Sequence, residues 1–440
     1  MRKIAISTDI KSRMKNGMLW TFTGTALAKF LTLIAGIICA HILTKEQYGE
    51  FNMVRSTINM FVVFGSSGLG VTATKYISGY KSDYASKIPH LCYITKLFAY
   101  FTGGISTFLI LISAPYIATF ILRNYSLTFA LQLGAILLFF SVINGVQTGI
   151  LSGFEDFKDI AVNSFIGSIF ESVFLLIGSY YGGTEGAILG FGIGFIVIYA
   201  TNRHSIKKQF SILNIRDNGK VFAITSDDWR IIFGYSLPAA LSSILIAPTF
   251  WVIRTLLVRK EGFGTLAIFE AADQWKVIIL FIPTAISQIV LPLLSSLKQN
   301  NNDKYLSTLA LNLIIIGAVS TLMAGFVTIA CPFIMNMYGK AFNEYSTLRI
   351  LAFSTIFSAI ANVLEMTAYS MGKMWQCFLI NIIWALCMIL FSYKLLSLGL
   401  GASALAYAVL FAYIISCAMF ACYIIYLLKS TPQISDEQRG

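Results

Sequence analysis

The chain has 440 residues, 57% of them hydrophobic and 12% charged, with a formal net charge of +12. Soluble domains carry about 25% charged residues, so a chain this apolar is excluded from that class and reads as an integral membrane protein. Cys39, Cys92, Cys331, Cys377, Cys387, Cys417 and Cys422 lie in or beside apolar runs with no Cys-X-X-Cys pair, and there are only three histidines; neither a disulfide framework, a metal site nor a cofactor is expected.

A helix needs about 20 apolar residues to cross a bilayer. Twelve runs qualify, near 17–43, 51–77, 88–112, 127–149, 160–181, 185–202, 231–258, 266–294, 304–329, 346–370, 375–396 and 401–428. The first is too long for a cleaved signal peptide. One long polar segment, 203–230, divides the runs six and six. The expected organisation is therefore a cytoplasmic N-terminus (1–16), an N-lobe of helices 1–6 (17–202), a cytoplasmic linker (203–230), a C-lobe of helices 7–12 (231–428) and a cytoplasmic tail (429–440). Placing the N-terminus inside leaves the outer loops only Lys45, Arg123, Arg259, Lys260, Lys340 and Lys394 of the 32 Lys and Arg. Six more lie within helices and the rest are cytoplasmic, as the positive-inside bias requires. The positive balance thus reports topology, and no nucleic-acid partner is expected.

The two halves echo one another. Lys45-Glu46-Gln47-Tyr48-Gly49-Glu50-Phe51 reads as a tight polar turn, and Lys260-Glu261-Gly262-Phe263-Gly264-Thr265-Leu266 repeats its grammar 215 residues later. Gly186-Ala187 recurs as Gly401-Ala402, and Ala114-Pro115-Tyr116-Ile117 as Cys331-Pro332-Phe333-Ile334. Landmarks in one order at nearly one offset mark a duplicated unit, and duplicated halves mark transporter folds whose substrate sits between the repeats.

The helix-borne cations are Lys29, Arg55, Lys96, Arg254, Lys276 and Arg349. A Lys or Arg at the bilayer centre costs about 2.5–3.5 kcal/mol, so each requires a partner, a wet cavity or a route to the headgroups. Lys29 lies near the middle of helix 1, on one stripe with Thr21, Thr25, Thr32 and Gly36. The stripe reads as a cavity lining or, more plainly, as a packing seam. Arg55, Lys96 and Arg254 are read nearer helix ends, balanced between lumen and headgroup interface; Arg349 reads as an interfacial anchor. Helix 8 carries Glu270, Asp273 and Gln274 on one face, with Lys276 three residues from Asp273, as a self-neutralising polar face or an ion-coupling site. Glu171 and Glu365 are the other deep acids, each a partner for a cation or a coupling group.

These features together resemble the polysaccharide transporter family of the multidrug/oligosaccharidyl-lipid/polysaccharide (MOP) exporter superfamily, and within it the Wzx-type O-antigen or repeat-unit flippases. The marks are the six-plus-six helices, the Lys-Glu-X-Tyr-Gly-X-Phe turn and its echo, Phe281-Ile282-Pro283 followed by Leu291-Pro292, and Met337-Tyr338-Gly339. The resemblance implies an all-α polytopic fold of twelve transmembrane helices in two six-helix lobes around a central cavity, like that of multidrug and toxic-compound extrusion (MATE) transporters. It also implies flipping of undecaprenyl-diphosphate-linked oligosaccharide from the inner to the outer leaflet of the bacterial inner membrane by alternating access. The diphosphate would be held by Lys29, Arg55, Lys96 and Arg254, with ion coupling at Glu171, Glu270, Asp273 or Glu365. Polymerase and chain-length proteins of the same pathway are the expected partners. The runner-up, a multidrug cation antiporter, would carry an acid in helix 1, where this chain has Lys29. A membrane glycosyltransferase or polymerase would need a catalytic constellation on its outer loops, and none is visible.

Overall fold

The computed structural model describes residues 8–66, 68–83, 85–213, 225, 229, 244–297 and 302–430. Among them every regular element is helical: α1 (Thr8–Ile42), α2 (Lys45–Ser66), α3 (Leu69–Asp83), α4 (Ile88–Tyr116), α5 (Leu127–Gly153), α6 (Phe157–Ile212), α7 (Ile246–Glu261), α8 (Phe263–Leu297), α9 (Asn302–Asn336), α10 (Tyr345–Ser370), α11 (Met374–Ser397) and α12 (Gly401–Ser430). Eight of these are long and apolar enough to cross a membrane, nine if α2 and α3, bent by 42°, form one broken span. The chain is a multi-pass membrane protein. The start of the seventh expected run and most of the 203–230 segment lie outside the described residues; residues 203–212 continue α6.

One expectation about local structure changes. Lys45–Phe51 is not a turn but the start of α2. Thr44 and Gln47 form a reciprocal cap, Gln47 N donating to Thr44 Oγ1 (3.2 Å) and Thr44 N to Gln47 Oε1 (3.1 Å). This Thr-X-X-Gln box satisfies helix-start donors that would otherwise be orphaned, so the helix begins six residues earlier than hydropathy indicates. The runs at 160–181 and 185–202 are the two arms of α6, reversed at Gly183, whose φ of 55° lies in the region that glycine enters without steric cost.

Two compact units emerge, Met1–Ala267 and Ile268–Gly440. In the first, α6 packs on α1, α5 and α2, and α2 also packs on α7. Gly24 of α1 comes so close to Ala161 of α6 that an added Cβ would lie 2.5 Å from the alanine methyl. Trp251 Nε1 of α7 donates to Thr57 Oγ1 of α2 at 2.9 Å. In the second unit, α10 packs on α9 and α12, and α12 on α11. Part of its core joins Leu309 and Ile316 of α9, Ala359 and Val363 of α10, Cys377 of α11 and Phe420 of α12. In the first unit small residues let helices approach closely, the packing expected where lipid offers no hydrophobic drive between them.

Candidate functional site

The α6 hairpin builds the candidate site of the first unit. Its arms lie in antiparallel register through glycines spaced four apart on the returning arm. An added Cβ would lie 2.1 Å from the Gly178 carbonyl oxygen at Gly186 and 2.1 Å from the Phe174 oxygen at Gly190. The next glycine in the series, Gly194, meets Glu171: an added Cβ would lie 2.7 Å from Glu171 Cβ and 3.2 Å from its Oε2. The i, i+4, i+8 spacing puts these glycines on one face, and that face holds the carboxylate in place.

Helix α2 brings a cation to it. Phe51 meets Phe191 edge-on, ring centroids 6.1 Å apart. One turn further along α2, the Arg55 guanidinium lies over the Phe51 ring, 5.9 Å from its centroid. One turn beyond Phe191 on α6 is Gly194, with Glu171 against it. Both segments run the same way from the same end, so Arg55 and Glu171 stand at one level and interact electrostatically, without closing to salt-bridge contact. Cys39 of α1 is also within electrostatic range of Arg55 and sits 3.3 Å from Ser179 Oγ of α6.

Because the α1–α2 joint and Gly183 lie together, depth can be counted from one end. At 1.5 Å per residue, Arg55 is about 15 Å below Lys45, Glu171 about 18 Å below Gly183 and Lys29 about 20 Å below Ile42. Arg55 therefore belongs to the middle of the bilayer, not near the end of its helix, because α2 starts at Lys45. Lys29 is half-buried at a similar depth, and its Nζ has no hydrogen-bond or ion-pair partner among the described residues. Arg55 and Lys29 are thus mid-membrane cations of the first unit, one facing an acid and the other facing none among the described residues.

The second unit gathers acids and hydroxyls. On α8, Glu270 is 3% exposed and Lys276 6% exposed, and Lys276 Nζ pairs with Asp273 Oδ1. Tyr338 donates its hydroxyl to Gln274 Oε1 at 3.1 Å. On α10, Glu365 Oε1 accepts from Tyr369 OH and from Asn381 Nδ2 of α11, both at 2.8 Å. Tyr413 of α12 interacts electrostatically with Asp273 and Glu365 and bonds to Ser358.

Comparison with known proteins agrees with this picture. Residues 14–298 match the family model described as "Polysaccharide biosynthesis protein", which covers more than half of the chain. The chain belongs to this family of MOP-superfamily polysaccharide transporters. It is 24% identical over 402 residues, 89% of each chain, to the EPS I polysaccharide export inner membrane protein EpsE of Ralstonia nicotianae. It is 27% identical to the capsular polysaccharide biosynthesis protein CapF of Staphylococcus aureus, over 84% of this chain and 89% of that protein. Among solved structures, a multidrug resistance MATE family transporter of the MOP superfamily, in an inward-facing conformation, superposes with a TM-score of 0.72 at 15% identity, over 92% of this chain and 96% of that one. A MOP superfamily transporter from Pyrococcus furiosus, described as having a binding pocket of reverse polarity, superposes with a TM-score of 0.65 at 16% identity, over 96% and 97%. These likenesses establish a MATE-like fold.

The other helix-borne cations of this polysaccharide transporter lie on further helices. Lys96 is half-buried on α4, with no hydrogen-bond or ion-pair partner among the described residues. The Arg254 guanidinium lies over Phe250 on its own helix, 5.3 Å from the ring centroid. Arg349 donates through Nε to Cys331 Sγ at 3.1 Å. Sequence reasoning missed Tyr413, Asn381 and Ser358, which read as ordinary helix polars until α11 and α12 are placed. It also missed Glu50, which accepts from Asn124 Nδ2 (2.8 Å) and Thr184 Oγ1 (3.0 Å) and ties α2 to the α6 hairpin. A carboxylate within the first turns after a capping box was the available signal.

Proposed function

We propose that this transporter flips a diphosphate-linked oligosaccharide, carried on a polyprenyl lipid, from the inner to the outer leaflet of a bacterial inner membrane by alternating access. Lys29 and Arg55 hold the diphosphate while it crosses the apolar region. The observation that carries this reading is the pair of mid-membrane cations on neighbouring helices, Lys29 without an acid partner among the described residues and Arg55 facing one acid. A phosphate in a low-dielectric region gains far more from a fixed cation than it does in water. The guanidinium adds the planar fork that suits phosphate oxygens. Lys96 and Arg254 would serve as flanking contacts for the same group.

The family and the printed functions of EpsE (polysaccharide export, inner membrane) and CapF (capsular polysaccharide biosynthesis) support the substrate class. Both termini are assigned to the cytoplasm from the Lys/Arg bias. The lobes are assigned to 17–202 and 231–428, following the duplication. Asp273, Glu270 and Glu365 are the groups assigned to ion coupling in the second unit, and polymerase and chain-length proteins are the assigned partners. The chain moves its substrate and makes or breaks no bond.

In a strain lacking the protein, a membrane-impermeant probe should find lipid-linked glycan on the cytoplasmic leaflet, and the gene should restore export. Normal export together with new sensitivity to cationic dyes would replace this reading with drug antiport.

A further inference from the structure

Resting on the reading of Arg55 as a diphosphate ligand, we propose that Glu171 is the resident counter-ion of Arg55, that the incoming diphosphate displaces it, and that Glu171 then takes up one proton from water.

The geometry sets up the exchange. Glu171 is held against Gly194 by the register of the α6 arms, and Arg55 is held at the same level by the Phe51–Phe191 contact. They attract one another without a contact salt bridge, so neither side chain is locked to the other. A phosphate oxygen competing for the guanidinium offers more charge and a bidentate fit. Among the described residues, Arg55 is the one charged group found to act on Glu171. Helix α5 contains no titratable residue. Helix α2 offers Arg55 itself; its Lys45, Glu46, Tyr48 and Glu50 lie more than a turn away toward its start, and Glu50 is engaged by Asn124 and Thr184. From residue 22 onward, helix α1 offers His41 near its end, Cys39, held by Ser179, and Lys29, the other proposed phosphate ligand. With both cations turned to phosphate, Glu171 would be an anion beside a larger anion in a poorly solvated place. Desolvation and like charge both favour its neutral form. One proton from solvent joins the carboxylate, and no other bond changes. Lys29 carries no such competitor, so the proton uptake belongs to the Arg55 side of the site.

The test uses the full-length protein in nanodiscs with farnesyl diphosphate as probe. Calorimetry in buffers of different ionisation enthalpy counts protons bound per ligand, and a pH series from 6 to 8 gives the affinity. Wild type should take up about one proton, its affinity falling as pH rises by up to about tenfold per unit beyond the ligand's own titration. Glu171→Gln carries the same ligand titration; it should bind more tightly and lose the extra uptake. Glu171→Asp, which keeps the charge, should retain it. Binding that depends on Arg55 but shows no extra proton, or that weakens in Glu171→Gln, overturns the exchange and leaves Arg55 as a ligand. Binding unaffected by Arg55→Gln overturns the reading of the site and the exchange with it.

Discussion

Gly49 of α2 rests on the backbone of Phe263: an added Cβ would lie 2.0 Å from the Phe263 carbonyl oxygen. These residues are the Gly of the first copy of the duplicated motif and the aromatic of the second. In the reciprocal contact, a Cβ on Gly264 of the second copy would meet Glu46 Oε1 of the first at 3.0 Å. The repeated sequence therefore packs against its own repeat within the Met1–Ala267 unit.

The two glycines should respond differently. At Gly49 the obstacle is backbone, which cannot step aside, and overpacking of this kind typically costs about 1–3 kcal/mol. At Gly264 the obstacle is the end of a flexible side chain. Gly49→Ala should lower thermal stability in detergent and the amount of folded protein. Gly264→Ala should stay near wild type. Equal loss in both would mean that the contact is not the determinant.

Lys29→Ala should cut surface glycan export strongly while protein abundance stays near normal, because the half-buried ammonium makes no hydrogen bond or ion pair among the described residues that its removal would break. Export and membrane abundance measured on the same cells check this. Wild-type export at equal abundance would remove Lys29 from the site.

Arg55→Lys should retain more export than Arg55→Ala. The lysine keeps a charge opposite Glu171, and a removed partner leaves a buried carboxylate uncompensated. Equal loss in both variants would show that the planar fork, over Phe51 or on phosphate, is what the position requires.

The Asp273–Lys276 pair on α8 is a buried pair three residues apart. Removing one member of such a pair typically costs about 3–5 kcal/mol, whereas neutralising both can be nearly free. Lys276→Met alone should therefore depress the melting temperature, and adding Asp273→Asn should restore much of it. Export by the stable double variant separates the two roles of the pair. Recovery marks a self-neutralising polar face, and continued loss marks a coupling group.

The coarse architecture was legible from local sequence. Membrane class and the positions of most runs follow from hydropathy, because each crossing must satisfy its own backbone within one segment. The α6 hairpin was legible from Gly182-Gly183 between two apolar runs. The start of α2 was written in Thr44-X-X-Gln47, but it was overridden by the charge of Lys45 and Glu46, which reads as a turn to hydropathy alone.

Partnerships among charged side chains were not legible. Lys29, Arg55 and Glu171 each stood out as ionisable groups in apolar runs, since that cost is local and sequence-readable. Which acid answers which cation depends on the antiparallel register of the α6 arms and on the Phe51–Phe191 contact, across more than a hundred residues of chain. Likewise Tyr413 reaches Asp273 and Glu365 only through the packing of α12 on α10. Hydropathy and turn chemistry act within a segment, so the sequence by itself determined the membrane class, most of the crossings and the duplication. Electrostatic pairing acts between segments, so only the tertiary structure decided that Arg55 faces Glu171 while Lys29 faces no acid among the described residues.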